Sequence, residues 1–180
     1  VHGTYCEDGA LQGLLEYANV PYASADVTAS AACMDKDFTK LIVNKAGIPV
    51  VDWFTLDLNS SSKENKLSYP CFVKAARLGS AVGVYKVKNE KDFNKHLKEA
   101  FKFDSKVLVE KAIDAREVEC AVLGRGEDIK ASILGEVVPR HDFYTYEAKS
   151  LDDKGADLLV PAKVTEGQSE LIKEYAIKAF

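Results

Sequence analysis

Apolar positions recur along this chain with two different periods, and the change from one to the other predicts its organisation. Leu11, Leu14, Leu15 and Ala18 fall at i, i+3, i+4 and i+7, the stripe of an amphipathic helix, with Asp8 placed to cap it and Pro21 to stop it. A second helix is predicted over 27–33, capped by Asp26. A third is predicted over 36–46, where Phe38, Leu41, Ile42 and Lys45 share a face and Gly47 fits just past the end. The period then shortens. Residues 50–56, 70–76, 82–87, 106–110, 118–123 and 129–138 are short apolar runs rich in valine, which read as strands. One helix interrupts them, capped by Asn89, with Phe93, Leu97, Ala100 and Phe101 on one face. Gly124-Arg125-Gly126-Glu127-Asp128 supplies turn chemistry for a hairpin between the last two runs. Thr165 and Gln168 form a capping box before a helix predicted to bury Leu171, Ile172, Tyr175, Ala176 and Ala179.

Strands joined by hairpins with a single intervening helix predict an α+β layer with a largely antiparallel sheet. The polar run Asn59-Ser60-Ser61-Ser62 marks a boundary, giving a first region over 1–57 and a second over 58–180. Residues 140–154 are polar, carry Phe143, Tyr144 and Tyr146, and show no period; a loop of that length in a compact domain is expected to be functional. Val1-His2-Gly3 reads as the end of a strand, and the last helix runs to Phe180 without a stop signal. Both ends predict a piece of a longer protein.

Composition narrows the classes. The apolar fraction of 47% and charged fraction of 29% are those of a globular protein. A net charge of −4 with scattered lysines argues against nucleic acid as a partner. No apolar run approaches the roughly 20 residues of a membrane span. Cys6, Cys33, Cys71 and Cys120 are too widely spaced for a zinc site, and the last three sit among apolar residues, so free buried thiols are expected.

The stretch with the most chemistry is Val73-Lys74-Ala75-Ala76-Arg77-Leu78-Gly79-Ser80-Ala81-Val82-Gly83-Val84. A strand delivers a lysine, a Gly/Ser loop follows, and another strand leaves. Glycines let backbone N–H groups approach an oxyanion, Ser80 adds a donor, and Lys74 adds charge. A phosphate clamp and a tight hairpin without ligand both fit this stretch. A Walker A loop does not, because no Gly-Lys-Ser/Thr opens a helix; nor does a dinucleotide fingerprint, because G-x-G-x-x-G is missing.

Read together, the motifs resemble one family. His2-Gly3-Thr4-Tyr5-Cys6-Glu7-Asp8-Gly9 with Leu11-Gln12-Gly13-Leu14-Leu15-Glu16 looks like a segment of the D-alanine–D-alanine ligases. Ala32-Cys33-Met34-Asp35-Lys36 with Lys40, Phe72-Val73-Lys74, the Gly79-Ser80-Ala81-Val82-Gly83 loop, Leu108-Val109-Glu110-Lys111 with Glu117, and Phe143-Tyr144 through Tyr146-Glu147-Ala148-Lys149 follow in the family's order. The resemblance implies an ATP-grasp fold, preceded over 1–57 by the end of an α/β substrate-binding domain. It implies that Lys40 and Lys74 bind ATP phosphates and that Glu110 accepts from the adenine amino group. Lys111 to Ile113 would line the hinge, Glu117 would hold the ribose and Lys149 would reach the γ-phosphate from a closing loop. Ser80, His2 and Glu7 would lie near the first D-alanine.

The implied reaction joins D-alanine to a second D-amino acid or D-hydroxy acid through a D-alanyl phosphate, for peptidoglycan. The implied enzyme is a homodimer of the bacterial cytoplasm, with Mg²⁺ held by residues outside this segment, so that the segment alone is not expected to be active. Cys6 replaces a glycine of the pattern, Ala75 a proline, Ala81 a serine and Ser150 a tyrosine. These departures leave open a D-serine or D-lactate acceptor. A catalytically silent nucleotide-binding module is the alternative from another class.

Overall fold

A computed structural model describes residues 3–139 and 156–180. The chain forms two compact units. The first, Val1–Asn44 with Pro49–Ile113, holds α1 (Ala10–Tyr17), α2 (Val27–Met34), most of α3 (Lys36–Lys45), β1 (Trp53–Asp57), β2 (Cys71–Ala75), β3 (Val84–Val87), α4 (Glu90–Ala100) and β4 (Lys106–Lys111). The second, Lys45–Ile48 with Asp114–Phe180, holds β5 (Glu117–Glu119), β6 (Val122–Arg125), β7 (Asp128–Ala131), β8 (Gly135–Pro139), β9 (Ala156–Leu159) and α5 (Glu166–Ala179). These units differ from a cut at residue 57, because β1 pairs along its length with β4 and so belongs to the first unit's sheet.

That sheet has the order β1-β4-β2-β3, antiparallel at every pairing. Alternation divides its side chains between two faces. On one face Leu56, Cys71, Val73, Val87, Val107 and Val109 meet Phe93, Leu97 and Ala100 of α4, and this is the hydrophobic core. Asn89 caps α4 as expected, its side chain accepting from the Asp92 N–H. The other face carries Trp53, Lys74, Lys106 and Glu110, and α3 crosses it.

The docking of α3 reverses the expectation for that helix. Its apolar stripe does not face inward: Phe38, Leu41 and Ile42 are each at least half exposed. Its polar side meets the sheet instead. Lys106 Nζ lies 2.7 Å from Asp35 and 3.3 Å from Asp37, the Trp53 indole N–H donates to Asp37 at 2.9 Å, and Lys40 reaches Glu110. Beside the buried Leu108 and the rings of Phe72 and Trp53, that face presents the charged ends of Lys74, Lys106 and Glu110, and the complementary charges of α3 turn towards them. Burial alone would push the Lys106 ammonium down, but the two aspartates outweigh it and hold its pKa above the usual lysine range.

Smaller differences have local causes. Gly9, not Asp8, is the N-cap of α1, while Asp8 folds over the preceding turn and accepts from the N–H groups of Tyr5 and Ala10. The helix ends before Pro21 is reached: Asn19 takes φ 53°, its N–H donates to the Glu16 carbonyl, and the Val20 N–H donates to that of Leu15. Of the α1 stripe, Leu14 and Ala18 are exposed. Asp26 caps α2 as expected. Cys33 is exposed rather than buried; Cys71 is buried, and all four thiols are free.

In the second unit the two long strands predicted on either side of Gly124 are each broken. Val122 pairs with Ala131 and Glu119 with Gly135, so two residues on one strand oppose three on the other. This bulge points Leu134 into the interior and leaves Ile133 exposed. Ser132 fills the gap, its hydroxyl accepting from the Ala121 N–H at 3.0 Å. β9, which the pattern did not predict, pairs with β8. Glu136 on β8 is buried in a two-pronged ion pair with Arg116, both contacts 2.7 Å. Thr165 and Gln168 form the capping box, yet α5 buries none of its stripe fully, and Leu171 and Ala179 are exposed.

Polar docking of α3 predicts an unequal pair of substitutions. Lys106→Met leaves Asp35 and Asp37 without a cation between them and should cost about 3 kcal/mol or more. Ile42→Ala, on the exposed face, should stay within about 1 kcal/mol. Urea unfolding measures both; equal losses would mean that α3 docks through its apolar side.

Candidate active site

Three sequence-predicted residues converge on the α3 face of the first unit. Antiparallel register sets Glu110 of β4 opposite Phe72 of β2 and Trp53 of β1. Lys74, two residues along β2, projects to the same face, and its Nζ lies 2.7 Å from Glu110 Oε1. Lys40 stands one turn after Lys36 on α3, and its Nζ lies 2.9 Å from Glu110 Oε2. All three side chains are at most 21% exposed. Burial pushes the Glu110 carboxyl up, but the Lys74 and Lys40 ammonium groups outweigh it and hold its pKa below the usual glutamate range. Lys40 also lies 5.3 Å from the Trp53 ring centroid, and Lys74 lies 5.2 Å from that of Phe72.

Beside this cluster, β2 runs into the Gly/Ser loop. The Val82 N–H donates to the Gly79 carbonyl at 3.0 Å, closing a turn whose two central residues, Ser80 and Ala81, have φ of 51° and 59°. Hairpin turns of this hand favour asparagine and glycine; each other residue held there costs about 1 kcal/mol or more. Backbone strain thus sits at the exposed tip of the loop. Gly83 is needed for packing, since a Cβ would lie 3.0 Å from that of Ala75. Gly79 has no such need: a Cβ there would meet nothing within 4 Å. Open space above a glycine, next to a strained turn and buried cations, fits the close approach of a phosphate.

Lys36 is the residue that motif reading left without a role. Its backbone N–H donates to the Ala76 carbonyl at 3.0 Å, and its Nζ donates to the carbonyls of Ala75 (3.2 Å), Ala76 (3.3 Å) and Leu78. It ties the start of α3 to the start of the loop. Burial, then the charge of Lys74, pushes its ammonium below the usual lysine range. The signal available was Asp35-Lys36 at the start of the third helix. Arg77 anchors the loop from the other side. Its N–H donates to Asp104 at 2.8 Å and its guanidinium pairs with the same carboxylate, which is held below the usual range despite burial.

The remaining candidates fall in different places. Glu7 is exposed, accepts from the Gly3 N–H at 2.5 Å, and shares a cleft of about 820 Å³ with Cys6, Lys36 and Gly79. Ser80 is exposed. The Lys111 N–H donates to the Asp52 carbonyl and that of Ala112 to Pro70, so this segment is held by both neighbouring strands' ends; Ile113 is 55% exposed. Glu117 is exposed on β5 of the second unit. His2, Lys149, Ser150 and the 140–154 loop lie outside the described residues. Among the described residues no group of three or more His, Cys, Asp or Glu side chains is arranged to hold a metal ion. No helix among them is long and apolar enough to cross a membrane.

The chain is similar to known proteins over its whole length. A D-alanine–D-alanine ligase of Coxiella burnetii is 46% identical over 187 residues, covering 100% of this chain and 50% of that protein. The crystal structure of the VanG D-Ala:D-Ser ligase from Enterococcus faecalis matches with a TM-score of 0.85 at 31% identity, over 99% of this chain and 53% of that one. The D-alanine–D-alanine ligase from Bacillus anthracis, complexed with ATP, matches with a TM-score of 0.81 at 25% identity, over 99% and 56%. The chain spans about half the length of the curated relatives it matches. Residues 42–180 match the family model described as the D-ala D-ala ligase C-terminus, and the chain belongs to that family.

Proposed function

We propose that this chain is the nucleotide-holding part of an ATP-dependent ligase that joins D-alanine to D-alanine. The observation that carries the reading is the Lys74–Glu110–Lys40 cluster beside a strained loop with open space above Gly79. ATP supplies the phosphoryl group that activates the first D-alanine carboxylate, so that a second D-amino acid can attack it.

The chain's own residues then divide the work. Lys74 and Lys36, at the loop's base, with the N–H groups around Gly79 and Ser80, neutralise phosphate oxygens; preorganised donors of this kind stabilise charge that develops on phosphoryl transfer. Glu110, ionised and accepting only, takes the adenine amino group. Lys111 to Ile113 form the hinge beside the base, where Ile113 offers apolar surface. Glu117 holds the ribose hydroxyls. Glu7, across the cleft from Gly79, together with Ser80 and His2, borders the first D-alanine. Lys149 completes the phosphate contacts from the 140–154 loop, which excludes water as it closes. The resemblance implies that Mg²⁺ is held by residues outside this segment. The resemblance carries with it a cytoplasmic homodimer that serves peptidoglycan synthesis.

The protein carrying this chain, given ATP and D-alanine, should release ADP and form D-alanyl-D-alanine. With D-alanine, D-serine and D-lactate in competition, the product ratio assigns the acceptor. Nucleotide binding without ADP release in any mixture would reveal a silent module instead. Lys74→Ala should weaken ATP binding by about 1.5–3 kcal/mol, the loss of a charge-assisted contact. Calorimetry showing unchanged affinity would remove Lys74 from the site.

A further inference from the structure

Lys40 does not have the surroundings of a phosphate ligand. Its Nζ is enclosed by Glu110 Oε2 at 2.9 Å, the Val51 carbonyl at 3.5 Å and the face of Trp53 at 5.3 Å. The Trp53 ring is itself held by its N–H bond to Asp37. Lys36 Nζ reaches the base of the loop and Lys74, on the strand that leads into it, holds one oxygen of the Glu110 carboxylate; Lys40, on α3, holds the other. We propose that Lys40 is a positioning residue that keeps Glu110 a pure hydrogen-bond acceptor and thereby sets the preference of the site for a 6-amino over a 6-oxo purine. This rests on the nucleotide reading of the site and adds to it the source of base selectivity.

The chemistry is that of a buried carboxyl. Ionised, it accepts and cannot donate; protonated, it also offers one O–H donor. The adenine amino group donates, whereas a 6-oxo group accepts. Burial favours the protonated form, and nearby cations oppose it. The charged groups facing Glu110 are Lys74 from β2 and Lys40 from α3, with Lys36 of α3 farther off; β1 and β2 place the uncharged Trp53 and Phe72 directly opposite. A bound nucleotide draws Lys74 and Lys36 towards its phosphates. Lys40 is then the cation that remains committed to Glu110. Each carboxylate oxygen keeps a second lone pair, so the contact with Lys40 leaves room for the base.

The test compares ATP with inosine triphosphate, whose base replaces the 6-amino group with a 6-oxo group and protonates N1. Calorimetry on the protein carrying this chain gives the ratio of the two affinities, in which phosphate titration cancels. The wild-type ratio should favour ATP and stay flat between pH 8 and pH 6. In Lys40→Met it should fall at least about tenfold over that range, as Glu110 gains a proton at the lower pH. Lys40→Arg should restore the flat profile. Equal weakening of both nucleotides at every pH would make Lys40 a phosphate contact and overturn the proposal, as would a flat ratio in Lys40→Met. If the wild type binds neither nucleotide, the reading of the whole site fails with it. Carboxyl NMR titration of the unsubstituted protein gives a check independent of any variant: Glu110 should titrate below the ordinary value of about 4.3, and a value at or above it contradicts the proposal.

Discussion

The contact between α3 and the outer face of the four-stranded sheet is polar, and the site depends on it. Asp35 and Asp37 answer Lys106, and Lys40 answers Glu110, in a layer where a helix of this kind would ordinarily bury leucine and isoleucine. Pairs of this sort give little net stability against well-packed apolar side chains, but removing one partner leaves a charge buried and unpaired. The layer is therefore intolerant of error. It fixes the rotation and register of α3, and so delivers Lys36 to the loop and Lys40 to Glu110 from the same helical face. An apolar contact would permit more slippage and would bring no cations to the site.

Stability and chemistry are separated between the two faces of one sheet. The α4 face is closed by valines, Phe93 and Leu97, and carries no site residue. That core holds β2 and β4 in register, which sets Lys74 against Glu110 on the opposite face. The loop after β2 is held at its base by Lys36 and by the Arg77–Asp104 pair, and these ties let it keep Ser80 and Ala81 in a backbone conformation that side chains resist. Strain concentrated between two anchors is consistent with a loop shaped for a ligand rather than for its own stability.

Much of this was legible in the chain. The alternation of strands, the Asn89 cap and the α4 stripe predicted the core, because they depend on local periodicity and capping. Motif order named all three members of the cluster, Lys40, Lys74 and Glu110, but not that their side chains pair. What failed was whatever depended on the surface an element meets. Phe38, Leu41 and Ile42 read as a buried stripe because periodicity cannot show that the opposing face is charged. Asp8 read as a cap because sequence does not reveal that Gly9 takes the left-handed conformation. Val118 to Val138 read as two unbroken strands because a one-residue bulge leaves the apolar content unchanged. Lys36 stands in a quoted motif but carries no assigned role there, because its partners are backbone carbonyls, which the motif does not reveal.

The central claim is that Glu110, flanked by Lys40 and Lys74, is the base-reading end of a nucleotide site whose phosphate end is the loop from Gly79 to Gly83. A crystal structure of the protein carrying this chain, with Mg²⁺ and a non-hydrolysable ATP analogue, tests it most directly. The account predicts the adenine amino group within hydrogen-bond distance of Glu110, the phosphates against Lys74, Lys36 and the loop, and Lys40 still paired with Glu110. Phosphates on Lys40, or a nucleotide bound away from Glu110, would contradict it.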